Sequence, residues 1–175
     1  MKILLISTCK HKLHEEEFVK PIVQILKKEK KEFEIQHYTK LSNLEEYSHI
    51  IICGTALKDN AYIKYNFDWI KEFKKPILGI CAGSQIIAKV FDEKILDGQE
   101  IGAVQVKKIK EDKIIENINL NEIYCLHNKY SRVPKGFNLI LKTTHPQLFR
   151  NYNVICCLFH PEVRNENIIL NFLNI

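Results

Sequence analysis

The sequence predicts an α/β fold, in which a mixed, mostly parallel sheet carries helices on both faces. Through the first half of the chain, short apolar runs alternate with amphipathic helical patterns, the order that produces parallel strands. The second half instead carries short strand patterns joined by tight turns, which indicates an antiparallel part. The length of 175 residues suits a single domain, and we expect its bounds to be 1–175.

The individual elements follow from the spacing of apolar residues. In the first half, strands are predicted at 2–7, 33–38, 48–53 and 76–80, helices at 14–30 and 61–73, and a further helix directly after residue 81. In the second half, strands are predicted at 101–109, 122–126, 138–143 and 154–159, before a last helix at 164–173. This order is flavodoxin-like, so a functional site is expected at the carboxyl ends of the parallel strands.

Composition excludes several classes of protein. The net charge of +5 comes from scattered lysines, and the densest basic run, 27–31, includes an acid, so we expect no nucleic-acid surface. The apolar run at 3–6 is too short for a signal peptide, and no segment is long enough to span a membrane. Six cysteines without a repeating spacing argue against a disulfide framework and favour a cytoplasmic location.

One segment, Gly79-Ile80-Cys81-Ala82-Gly83, has the pattern of a nucleophile elbow, a sharp turn between a buried strand and a helix. Glycines two residues either side of Cys81 let the strand and helix pack closely around this turn. The helix N-terminus then directs partial positive charge at the sulfur, which favours the thiolate. The N–H of Ala82 is placed to hold an oxyanion.

A second segment, Phe159-His160-Pro161-Glu162, supplies the groups that a cysteine nucleophile lacks. If the backbone stays extended there, as the proline favours, His160 and Glu162 project to the same side. His160 could then act as the general base for Cys81, with Glu162 holding the imidazole in the required tautomer. Cys81, His160 and Glu162 are therefore the predicted catalytic residues.

Together these two motifs resemble the class I, triad-type glutamine amidotransferases, and within them the glutaminase subunits of GMP synthetases. The resemblance extends over nearly the whole chain. It implies that a backbone N–H at Gly54-Thr55 completes the oxyanion hole with Ala82. It also implies that Gln85 contacts the bound glutamine.

The sequence departs from the family pattern at three positions. Thr55 replaces the second glycine of a pair, and Leu158 replaces the glutamine common before Phe-His-Pro-Glu. His127 falls on a family histidine, but Lys129 stands where the family has an acid that helps hold the substrate α-amino group. His127 is interpreted either as a substrate-binding residue or as a half-buried histidine bonded to the backbone.

No Gly-rich phosphate loop is present, so the sequence shows no visible site for activating an acceptor with ATP. The leading hypothesis is therefore a glutaminase that forms a Cys81 thioester and delivers ammonia to an ATP-dependent synthetase subunit in trans. The alternative is a γ-glutamyl amide or peptide hydrolase that works alone, and a third is a non-catalytic regulatory homologue. No cofactor or metal is expected, because the one metal-like cluster, Cys9, His11, His14 and Glu15, lacks a common zinc spacing.

Overall fold

The computed structural model describes residues 2–175, and these form an α/β domain built on an eight-stranded mixed sheet. The strands are β1 (Lys2–Ser7), β2 (Glu32–His37), β3 (His49–Ile52), β4 (Ile77–Ile80), β5 (Ile95–Gln105), β6 (Lys107–Lys108), β7 (Glu122–Ser131), β8 (Asn138–Lys142), β9 (Pro146–Asn151) and β10 (Val154–Cys157). The α-helices are α1 (Glu15–Phe18), α2 (Lys20–Lys28), α3 (Trp69–Glu72), α4 (Ala82–Val90) and α5 (Asn167–Phe172). The predicted fold class is confirmed.

The order of strands in the sheet brings the two predicted motifs together. It runs β2-β1-β3-β4-β10-β9-β8-β6, with parallel pairing from β2 to β10 and antiparallel pairing from β10 onward. β10 lies directly beside β4, with Cys157 opposite Ile80. Both strands therefore end at the same edge of the sheet, and the residues that follow them meet there.

The central parallel strands β1, β3, β4 and β10 are buried on both faces, which explains why they are continuous apolar runs. In β1, Ile3 and Leu5 pack with α2 and α5 on one face, and Leu4 and Ile6 pack with α3 and α4 on the other. All four of these side chains are fully buried. The carboxyl ends of the strands are thus set on a rigid base.

The helical regions differ in detail from the sequence prediction. The helix predicted at 14–30 is interrupted at Val19, because Pro21 stands in the first turn of a new helix, where the missing N–H costs no hydrogen bond. The helix predicted at 61–73 is wrong. Its place is taken by a 3₁₀ turn, Ala61–Lys64, and by the single turn of α3.

The second half holds more strand than was predicted. β5 and β7 are longer than the predicted strands 101–109 and 122–126, and they pair antiparallel in a separate two-stranded sheet. β9 was not predicted at all. The final helix is shorter than 164–173 because residues 161–164 form a turn, followed by Asn165 at φ 78°.

The helices and the cysteines bear on the environment of the chain. Across residues 2–175, no helix combines the length and apolar content needed to cross a bilayer. All six cysteines are buried and free.

Candidate active site

Cys81 occupies the turn between β4 and α4 in a strained backbone conformation. Its φ is 48° and its ψ is −103°, an uncommon combination for a residue with a side chain. The surrounding structure holds it there, since the Cys81 N–H donates to the Cys157 carbonyl at 2.8 Å and the Gln85 N–H donates to the Cys81 carbonyl at 3.1 Å. The predicted nucleophile elbow is present.

Two glycines make this elbow possible. A Cβ on Gly79 would lie 2.5 Å from backbone atoms of Gly83, and a Cβ on Gly83 would lie 2.2 Å from the Ile52 carbonyl oxygen. Neither position has room for a side chain, because α4 packs directly on β3 and β4. This close packing aims the N-terminus of α4 at Cys81.

His160 and Glu162 follow β10 and form a hydrogen-bonded pair. His160 Nδ1 lies 2.7 Å from Glu162 Oε1, and both side chains are almost completely buried. The other ring nitrogen, Nε2, is buried without a hydrogen-bond partner. A Cβ on Gly54 would lie 2.9 Å from His160 Cε1 and 3.3 Å from Cys81 Cβ, so Gly54 leaves just enough room for the imidazole and the cysteine to approach each other.

The electrostatics of this pair favour a charged imidazole. Burial alone would lower the pKa of His160, but the Glu162 carboxylate and the Cys81 sulfur outweigh it and hold that pKa well above its usual value. Burial raises the pKa of the Cys53, Cys125, Cys156 and Cys157 thiols, so these are held neutral. Only Cys81 combines a helix N-terminus with an adjacent imidazole.

Backbone amides border the thiol on two sides. Ala82 begins α4, so its N–H has no acceptor within the helix. The segment Gly54-Thr55 follows β3 beside Cys81, and the Thr55 N–H makes no hydrogen bond with the described residues. Thr55 has no positive φ, so its backbone conformation does not require glycine, and its hydroxyl donates to Asp59 Oδ2 at 2.9 Å.

A small cavity adjoins Cys81, between the segment 55–62, the elbow and residues 127–128. Its free volume is about 10 Å³, which suits roughly one water molecule. Asn128 Nδ2 donates to the Leu57 carbonyl at 3.2 Å and joins two of its walls. Gln85 joins two others, accepting from the Tyr62 hydroxyl at 2.6 Å and donating to the Lys129 carbonyl at 3.1 Å.

His127 also lines this cavity, but its ring nitrogens are engaged by the protein. Nδ1 lies 3.4 Å from the Gly98 carbonyl and Nε2 lies 3.4 Å from Glu100 Oε2. Burial lowers the pKa of His127 despite the carboxylate beside it. Of its two interpretations, this geometry favours the structural one.

The side chain of Lys129 does not line the cavity. Its ammonium instead pairs with Asp97 at 2.7 Å. Leu158, the other departure in the second motif, is buried and donates its N–H to the Gln147 carbonyl at 2.8 Å. The site accommodates both departures without strain.

The metal-like cluster of the sequence is not the one that the fold assembles. Within residues 2–175, the acid, thiol and imidazole groups that come within 4.8 Å of one another belong to Glu100, Cys125 and His127. The Glu100 carboxylate already accepts from Gln147 Nε2 at 2.6 Å and from the Thr143 hydroxyl at 2.8 Å. This cluster is a closed hydrogen-bond network.

One acidic residue of the cavity was not predicted. Asp59 is 6% exposed and is held by residues far away in the sequence, among them His14, whose Nδ1 lies 2.9 Å from Asp59 Oδ2. It follows no strand directly and belongs to no motif. Only the folded arrangement of the 9–15 and 55–60 loops could reveal it.

Comparison with known proteins places this site in a family. The model of the family "Glutamine amidotransferase class-I" matches residues 14–172. The GMP synthase of Wolbachia pipientis wMel is 32% identical over 117 residues, 57% of this chain, but the alignment spans only 22% of that longer protein. One subunit of the glutamine-hydrolysing GMP synthase of Sulfolobus acidocaldarius is 26% identical over 150 residues, 77% of this chain and 80% of that protein.

A similar fold occurs among solved structures. A putative GMP synthase subunit from Thermoplasma acidophilum superposes with a TM-score of 0.85 and 22% identity, covering 99% of this chain and 92% of that one. The match of the family model over most of the chain, with the cysteine elbow and the histidine–glutamate pair in one site, is decisive. The chain belongs to the class I glutamine amidotransferase family.

Proposed function

We propose that this protein hydrolyses the side-chain amide of glutamine through a thioester on Cys81 and delivers the ammonia to a separate synthetase subunit. The observation that carries the proposal is the buried His160–Glu162 pair, 2.7 Å apart, beside a cysteine at a helix N-terminus. Six free, buried cysteines support action in a reducing, cytoplasmic compartment.

The geometry supports a two-step reaction. The Cys81 thiolate attacks the amide carbon, and the resulting oxyanion accepts hydrogen bonds from the N–H groups of Ala82 and of the Gly54-Thr55 segment. The imidazolium of His160 gives its proton to the leaving nitrogen, and ammonia departs. His160 then takes a proton from water, which attacks the thioester and releases glutamate and the free thiol.

The Sulfolobus relative is named as one subunit of its GMP synthase, which supports a partner in trans. The alternative is a γ-glutamyl amide or peptide hydrolase that acts alone, and it is favoured by one observation: Lys129 stands where the family has an acid and pairs with Asp97. A non-catalytic homologue fits poorly with an intact and buried set of Cys81, His160 and Glu162.

The decisive experiment is release of ammonia from glutamine and from γ-glutamyl amides, with and without an ATP-dependent synthetase subunit. In parallel, a glutamine-like diazo-ketone should label Cys81 and no other cysteine, as read by mass spectrometry of peptides. Cys81→Ala should abolish the label, and Cys156→Ala, in the core away from the site, should retain it. A label on Cys53, Cys125 or Cys156 would contradict the assignment.

A further inference from the structure

The cavity beside Cys81 has one acidic residue in its lining. Among the described residues that border it, Asp59 is the only one with a carboxylate, and none is a lysine or an arginine. A substrate that occupies an enlarged form of this cavity therefore meets one negative charge and no permanent positive charge. The charge pattern fits a substrate whose far end carries an ammonium group.

The hydrogen bonds of Asp59 are strongly asymmetric. Oδ2 accepts from the Lys10 N–H at 3.1 Å, from His14 Nδ1 at 2.9 Å and from the Thr55 hydroxyl at 2.9 Å. Oδ1 accepts no hydrogen bond from residues 2–175. The carboxylate is thus held rigidly through one oxygen, and the other oxygen is free for a ligand.

The ionisation of Asp59 agrees with this geometry. Burial would raise the pKa of Asp59, but the hydrogen bonds from His14, the Lys10 amide and Thr55 outweigh it and lower that pKa below its usual value. The carboxylate is therefore charged at neutral pH while its side chain is 94% removed from solvent, the complement of the 6% exposed fraction. Because Asp59 lines the cavity and its Oδ1 has no donor within residues 2–175, this oxygen can accept a hydrogen bond from a ligand.

We propose that Asp59 is the specificity-determining residue that binds the α-ammonium group of the substrate through Oδ1. This inference rests on the proposed function and adds to it the residue that recognises the ammonium end of the substrate. Lys129 does not oppose this, because its ammonium is engaged by Asp97 outside the cavity lining. Deaminated or N-acylated amides lack the donor and are excluded.

Glutaramate provides a direct test, since it is glutamine without the α-amino group. Binding of glutamine and of glutaramate is measured by calorimetry on a Cys81→Ala background with an ATP-dependent synthetase subunit bound, with and without Asp59→Asn. We expect Asp59→Asn to weaken glutamine binding about ten- to a hundredfold, as for a hydrogen bond to a charged group, and to leave glutaramate binding nearly unchanged. Asp112→Asn is the matched control, an acid that also accepts a backbone N–H and pairs with Arg150 away from the site. It should preserve the preference for glutamine.

The two proposals fail separately. Equal weakening of both ligands by Asp59→Asn would mean that Asp59 only supports the loop, and no change in either would also overturn the inference. If Asp59→Asn does not fold, the affinities of the protein with Asp59 intact still test the inference. Equal affinity for glutamine and for glutaramate would contradict it. Absence of amide hydrolysis in the presence of a synthetase would contradict the proposed function, while the binding preference would still report on Asp59.

Discussion

Cys81, His160 and Glu162 show how far single residues could be predicted from the sequence. The elbow is a local pattern that the structure contains, but the extended backbone expected at His160–Glu162 is wrong: the Val163 N–H donates to the His160 carbonyl at 3.2 Å, so a turn brings the imidazole and the carboxylate together. Asp59 could not be found in this way, because its three donors come from Lys10, His14 and Thr55 and meet only in the folded chain. Site residues that belong to a short motif can be predicted from the sequence, whereas site residues that distant loops bring together cannot.

At this scale, the first prediction concerns the acid–base pair. His160→Ala should lower kcat for amide hydrolysis roughly a hundred- to ten-thousand-fold, because it removes both proton transfers. Glu162→Gln should cost less, since Glu162 touches the imidazole and not the substrate. His11→Ala, at an exposed position, is the control and should retain full activity. Near-normal turnover by both His160→Ala and Glu162→Gln would disprove the triad.

A second prediction at this scale concerns pH. The Glu162 carboxylate helps to raise the pKa of His160, against the effect of burial, so Glu162→Gln should lower that pKa. The imidazolium then loses its proton at a lower pH. We therefore expect the alkaline limb of the kcat profile to move to lower pH in Glu162→Gln. A limb that stays in place or moves upward would show that the carboxylate does not stabilise the imidazolium.

At the scale of elements, the central parallel strands β1, β3, β4 and β10 were predictable because two-sided burial makes them continuous apolar runs. The strands in the second half of the chain were harder to predict. β5 is half-exposed along its length and pairs only with β7, so its ends carry no sharp signal in the sequence. The segment 61–73 has helical apolar spacing, but its aromatic residues are drawn to separate contacts. Tyr62 donates to Gln85, and Phe67 packs beside Tyr38.

The contact between α4 and β3 yields a prediction about stability. In Gly83→Ala the added Cβ would lie 2.2 Å from the Ile52 carbonyl oxygen, a backbone atom that no change of rotamer can move away. The overpacking should lower the free energy of unfolding by about 1–3 kcal/mol or more, although alanine itself favours a helix. Lys89→Ala, on the exposed face of α4, removes a hydrogen bond from the Lys89 ammonium to the Ile63 carbonyl but adds no atoms to the core, and it serves as the control in the same urea titration. Equal stability of the two variants would contradict the close packing described for the elbow.

At the scale of the whole molecule, the site is nearly closed. A cavity of about 10 Å³ cannot hold a glutamine molecule, and Asn128 joins its walls through the Leu57 carbonyl. We therefore expect substrate entry to involve separation of the 55–60 loop from β7. The sequence could not predict this closure, because it depends on the distance between two loops and on no motif.

From this closure we expect weak glutaminase activity in the isolated chain and a large increase when a synthetase subunit binds and separates the two walls. Ammonia release measured across a titration of the partner tests the expectation. Asn128→Ala should partly replace the partner, because it removes the hydrogen bond between the walls. A high rate on a γ-glutamyl amide without any partner, with little on glutamine, would instead favour the hydrolase that acts alone.

The position of β10 sets the stage of folding at which the candidate active site is completed. This strand is the last of the sheet to leave the ribosome, yet it inserts between β4 and β9 and brings His160 and Glu162 to Cys81. Until it docks, the nascent chain carries a thiol with no base and no acid beside it. Amide hydrolysis by the proposed triad therefore cannot begin before β10 has docked. Hydrolytic activity at Cys81 would therefore report that β10 has taken its place in the sheet.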